Sequence, residues 1–161
     1  MADNFILHEI KKSDLRELRE VLSRNNYTEE GFRQLGINPF LRILEDYPII
    51  VYKLKSPNSQ NVLFSLFFLG DEMRKRKLEK LFGTLFVKKL IEINILEDRG
   101  KKIRSKVMIL PYKNHYFASD FILRYLNGRY VRLSQQNYDL VYPLSGDSID
   151  LWEAAIKKKV N

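Results

Sequence analysis

Apolar residues recur at helical spacing in the first half of the chain and at alternate positions after residue 95, and that change of period predicts helices followed by strands. In "SDLRELREVLSR" (13–24), Leu15, Leu18 and Leu22 lie on one helical face, with Ser13 as N-cap and Glu17 near the capping-box position. Thr28 is a second cap and Gly36 a stop, and Asn38-Pro39 reopens a helix with proline in its first turn. The β-branched and aromatic run "YPIIVYKLK" (47–55) reads as a short strand or extended connector, and "SPNSQ" (56–60) as a turn. The next segment, "NVLFSLFFLGDEM", is apolar all round, which predicts a buried central helix capped by Asn61 and stopped by Gly70.

Asp71 is then placed to cap a helix through "EMRKRKLEKLF", with Met73, Leu78, Leu81 and Phe82 inward and its basic residues outward. After Gly83, Thr84 is placed to cap "LFVKKLIEIN", a helix ending near Asn94, so the pair forms a helix-turn-helix candidate. "ILEDRGKKIRSKVMILPY" reads as a strand, an Asp98-Arg99-Gly100 turn and a longer returning strand stopped by Pro111. Along that strand Ile103, Ser105, Val107 and Ile109 share one face, and Lys102, Arg104 and Lys106 the other. Helix, turn, helix, hairpin is the order of a winged helix. "HYFASDF" predicts a further strand, Asn127-Gly128 suits either a hairpin turn or a helix stop, and a last helix begins at about Asp147 or Ser148. The expected class is α+β, as a single recognition domain with a helical part (1–60), a winged-helix-like part (61–112) and a strand/helix segment (113–161).

Composition narrows the chemistry. The 161 residues contain no cysteine, which removes disulfides, thiolate metal sites and thiol nucleophiles and makes the cytoplasm the expected location. The most apolar run, 62–70, is too short to span a bilayer, so no membrane association is expected. His8 and His115 are far apart without metal-ligand spacing, and the glycines form neither a P-loop nor a dinucleotide fingerprint. Asp71-Glu72 and Glu97-Asp98 are paired acids, for which capping and turn roles explain more than acid–base chemistry.

The net charge of +8 and pI near 9.6 raise the chance of an acidic partner such as RNA or another nucleic acid, or an anionic membrane surface, without deciding between a partner and charge that serves solubility alone. Arg74, Arg76 and Lys77 on one helix, Lys88 and Lys89 on the next, and Lys101, Lys102, Arg104 and Lys106 on the wing are the candidate phosphate contacts; the competing reading is a set of solvated faces. Tyr112, Tyr116, Tyr125 and Tyr130 are either stacking platforms for single-stranded bases or core residues.

The segments "LFSLFFLGDEM", "VKKLIEINILED", "MILPYKNHYFASD" and "YDLVYPLSGDSIDLWEAA" together resemble the region preceding the catalytic domain in class I S-adenosylmethionine-dependent methyltransferases related to the ribosomal RNA guanine-N2 and release-factor glutamine enzymes. The matching elements are Leu66 to Gly70, Ile95 to Glu97, Pro111-Tyr112, Ser119-Asp120 and Ser145 to Ser148. The resemblance implies a substrate-recognition domain, with S-adenosylmethionine and the catalytic residues belonging to a C-terminal methyltransferase domain that these residues lack. No catalytic or cofactor residue is therefore expected in this chain. The alternative reading is a stand-alone winged-helix DNA-binding transcriptional regulator. Such a regulator usually dimerises to read two half-sites, whereas a recognition domain is expected to be monomeric.

Overall fold

The computed structural model describes residues 10–38, 47–121, 123–126 and 128–132 as a mixed helix and sheet protein. The helices predicted from residue 39 and from residue 147, the small-residue loop at 145–148 and His8 lie outside these residues. Helices α1 (Lys12–Arg24) and α2 (Glu29–Gln34) come first along the described residues, and Thr28 caps α2 by accepting from the Gly31 N–H. Ser13 lies inside α1, whose cap position is Lys11, and it donates to Asp14. Helix α1 ends on Asn26 at φ +56°, with Asn26 N–H donating to Ser23 and Tyr27 N–H to Leu22. Gly36 closes α2 in the same way, and in both cases the following apolar residue, Tyr27 or Ile37, turns into the core.

Residues predicted as a strand at 47–55 instead form helix α3 (Tyr47–Lys53). Ile50 and Leu54 are buried and stand four residues apart, so tertiary burial at helical spacing overrides the β propensity of the run. Pro48 falls in the first turn, where its missing N–H costs nothing. Helix α4 (Ser59–Phe64) is capped by Asn58 rather than Asn61, and Asn61 instead donates from its buried side chain to Ser56 O. The chain continues as a π-helical turn, Ser65–Leu69, ended by Gly70 in the left-handed region. Phe64, Leu66 and Phe67 are fully buried there, so the predicted central helix is central.

Strand β1 (Met73–Arg74) follows, and it displaces the expected Asp71 cap: α5 (Lys75–Phe82) starts later, with Lys75 N–H donating to Lys101 O. Among the described residues Asp71 accepts from the Glu72 N–H. Gly83 at φ +85° separates α5 from α6 (Thr84–Glu92) and takes the cap position assigned to Thr84. Next come β2 (Leu96–Arg99) and β3 (Lys102–Ser105), and β3 pairs with both β1 and β2, giving the order β1-β3-β2.

The predicted long returning strand is broken after Ser105, because its remainder, β4 (Met108–Tyr112), pairs with β5 (His115–Ser119) in a second sheet. Pro111 lies inside β4 rather than stopping it. Tyr112 and His115 close a two-residue turn, so Pro111 opposite Tyr116 occupies a pair that needs no N–H from proline. Strands β6 (Leu123–Leu126) and β7 (Arg129–Arg132) pair with Leu126 opposite Arg129, which resolves the 127–128 ambiguity as a hairpin. The π-helical turn touches β3, β4 and β6 and is the hub of the core.

The helical part is tied to the second sheet by polar contacts. Tyr27 Oη donates to Ile109 O at 2.6 Å, and Tyr116 Oη donates to Tyr27 O at 2.9 Å. Lys113 and Asn114, both at positive φ, form the β4–β5 turn; Glu29 accepts the Lys113 N–H and Arg19 donates to Asn114 O. Without these clamps, a lysine in the left-handed region is unfavourable.

Asp71 supplies a pH-dependent prediction. Burial is the main cause that raises its carboxyl above the usual 3.8, opposed by the Glu72 N–H and Lys102 and reinforced by Glu72. An acid with a raised folded-state pKa contributes stability below its unfolded value, and that contribution is lost as pH rises through the folded value. Asp71→Asn keeps the bond to Glu72 N–H and is expected to stabilise the protein at pH 7 by about 0.5 kcal/mol or less. Urea unfolding from pH 7 to pH 4 checks this, because the gap between variant and wild type should close as pH falls.

Candidate nucleic-acid interface

The start of α5 and the β2–β3 turn bring most of the candidate cations together. Arg74 is the last residue of β1, and Arg76 and Lys77 lie in the first turn of α5. The Lys75 N–H to Lys101 O bond, 3.0 Å, holds that turn against the β2–β3 turn. Asp98 accepts the Gly100 N–H at 2.8 Å, which is the turn role expected of it, and also pairs with Lys75. The hydrogen bond from Lys75 and that from Gly100 hold the Asp98 carboxyl below its usual value, and the same pair raises Lys75.

The candidate residues divide into two groups. Arg74, Arg76, Lys77, Lys88 and Lys101 are exposed and make no ion pair among the described residues. The others are engaged: Lys102 with Glu72 at 3.3 Å, Arg104 with Glu97, Lys89 with Asp14 at 3.9 Å, and Lys106 with Asn94 Oδ1 at 2.6 Å. The face expected to be simply basic is thus crossed by acids. Arg99, absent from the sequence-derived set, belongs to it, pairing with Glu72 at 3.4 Å and Glu97 at 3.3 Å. Strand alternation was the available signal, since Arg99 is two residues from Glu97 and faces Lys102 across the hairpin.

Helix α6 buries Phe86, Val87 and Leu90 and leaves Leu85, 82% exposed, beside the exposed Lys88 and Glu92. It offers few groups able to read base edges. The four tyrosines proposed as stacking platforms are half-buried: Tyr116 is bonded to Tyr27 O, and the Tyr125 and Tyr130 rings lie 5.0 Å apart. Among the described residues the exposed aromatic is instead Tyr52, with Lys55 over its ring at 4.8 Å.

A cleft of about 610 Å³ lies between α1, α2 and the β4–β5 turn, but its charged groups hold the turn or each other: Arg19 with Asn114 O, Glu29 with Lys113 N–H, Arg33 with Glu30. His115 is exposed beside it, with Nδ1 2.8 Å from Lys113 O. Among the described residues no group of acids and histidines is arranged to hold a metal, and no helix is long and apolar enough to cross a membrane. Nor does any described strand run through a glycine-rich turn into a helix, the cradle S-adenosylmethionine requires. Comparison with protein-family models, with curated proteins and with solved structures gave no match.

Proposed function

We propose that this chain is a winged-helix recognition module that binds the phosphodiester backbone of RNA and serves as the substrate-recognition part of an S-adenosylmethionine-dependent methyltransferase. The observation that carries the reading is the order β1-β3-β2 around α5 and α6, with cations that make no ion pair among the described residues gathered where α5 meets the β2–β3 wing. The methyltransferase assignment draws support from the resembling segments: Leu66 to Gly70 close the central helix, Pro111-Tyr112 end β4, and Ser119 ends β5 with Asp120 after it. The module recognises, while methyl transfer and the cofactor belong to a catalytic partner domain. With little on α6 to read base edges, recognition runs through backbone shape and charge.

Replacing Arg74, Arg76, Lys77 and Lys101 together by serine is expected to reduce the slope of log affinity against log salt for a hairpin RNA by about three, at roughly 0.7 to 0.9 per phosphate contact. Fluorescence anisotropy over a salt series measures it. An unchanged slope removes these residues from the interface, and tighter binding to a DNA duplex of equal length moves the assignment to a DNA-binding regulator.

A further inference from the structure

The sheet register places Arg74 opposite Lys102 and Lys102 opposite Arg99, so one row of the outer face carries a cation from each of three strands. Arg104 and Glu97 stand opposite each other in the adjoining row. Glu72, immediately before β1, reaches both Lys102 and Arg99, and Glu97 reaches both Arg99 and Arg104, so each acid bridges two cations. The acids are the deeper partners of Lys102 and Arg99: the Glu72 and Glu97 side chains are 22% and 28% exposed, against 49% for Lys102 and 44% for Arg99, whereas Arg104, at 24%, lies as deep as Glu97. The heads of Lys102 and Arg99 therefore stand outermost, while carboxylates beneath occupy donors that a phosphate would otherwise take.

From this arrangement we infer that Glu72 and Glu97 are built-in competitors for the phosphates this face receives, and that they restrict it to polyanions of high charge density. The inference rests on the nucleic-acid reading above. An isolated phosphate displaces neither carboxylate, because breaking each bridge returns only one new contact. A duplex backbone presents adjacent phosphates to Arg74, Lys101, Lys102 and Arg99 together and adds the release of its condensed counterions. The arrangement favours reversible, salt-sensitive engagement of a structured RNA over capture of small phosphorylated molecules.

The test compares wild type, Glu72→Gln/Glu97→Gln and a charge-matched control, Glu17→Gln/Glu20→Gln, which alters exposed residues of α1. Each is titrated with a fluorescein-labelled hairpin RNA and with a DNA duplex of the same length over a salt series. The sheet variant should bind RNA about three- to tenfold more tightly at low salt and with a steeper salt slope, whereas the control should move less than about twofold. The single variants Glu72→Gln and Glu97→Gln carry the same test if the double variant unfolds. Equal tightening in both doubles, or unchanged or weaker binding by the sheet variant while wild type binds, overturns the inference. Stronger gain on DNA than on RNA keeps the competition and reassigns the partner. Wild type that binds neither probe overturns the nucleic-acid reading itself, and this inference with it.

Discussion

Gly31→Ala is expected to destabilise the protein by about 3 kcal/mol or more, although alanine is ordinarily the better helix former by about 1 kcal/mol. A Cβ at Gly31 would stand 2.0 Å from the backbone oxygen of Asn26 and 2.9 Å from Gln60 Nε2. The oxygen cannot swing aside as a side chain can. Asn26 is the left-handed residue that ends α1, its carbonyl accepts from Gln60 at 3.2 Å, and the next residue, Tyr27, is fully buried. Relief therefore requires α2 to move away from the end of α1, which disturbs the Tyr27, Phe32 and Phe64 ring cluster behind it. Chemical denaturation measures the change, with a drop in melting temperature of roughly 6–12 °C expected for a chain of this length. A variant within about 0.5 kcal/mol of wild type would mean that α2 does not pack against Asn26 as described.

Gly70→Ala is expected to cost about 3 kcal/mol, from two separable causes. Gly70 has φ +69°, where a side chain adds about 1 kcal/mol of backbone strain. Its Cβ would also meet the Phe121 ring at 2.9 Å and Arg124 Cγ at 3.0 Å. Those neighbours dock the β6–β7 hairpin on the core. Arg124 is buried, its guanidinium donates to Ser105 O at 2.7 Å and Lys106 O at 3.4 Å, and it lies 4.2 Å over the Phe121 ring. Burial is the main cause that pushes its pKa down to about 10, so the hairpin is held by a cation that works through carbonyls and a ring. Gly100→Ala is the matched control, because Gly100 has φ +78° and nothing within 4 Å. That variant should lose only the roughly 1 kcal/mol of backbone strain. Urea unfolding of the pair isolates the crowding, and equal losses would show that β6–β7 does not rest on the end of the central helix.

Local signals in the sequence located most elements and some of their ends. Leu15, Leu18 and Leu22 marked α1, Thr28 capped α2, Gly36 and Gly70 stopped their helices, and the 103/105/107/109 alternation identified the buried face that continues from β3 into β4. These features rest on neighbours within a few residues, so period and turn chemistry suffice. Where the sequence was misleading, a distant partner decided the outcome. The run at 47–55 became a helix because Ile50 and Leu54 found the core, and a short strand replaced the Asp71 cap because Met73 and Arg74 found β3. Pro111 stayed within a strand because its place opposite Tyr116 asks for no N–H.

The candidate interface divides on the same ground. Its basic residues were legible by type and spacing, and the cations at the start of α5 and the β2–β3 turn that make no ion pair among the described residues lie among those named from the sequence. What the sequence by itself determined was a basic α+β chain whose period changes from helix to strand and whose charges cluster between residues 74 and 106. Only the tertiary structure decided which of those charges pair with one another among the described residues. The pairs of Lys102 and Arg104 join side chains that are distant along the chain, and Glu72 meets Lys102 and Arg99 only because β1 joins the sheet beside β3. Spacing along a chain records the face on which a residue lies, whereas register across strands settles which opposite charge it meets.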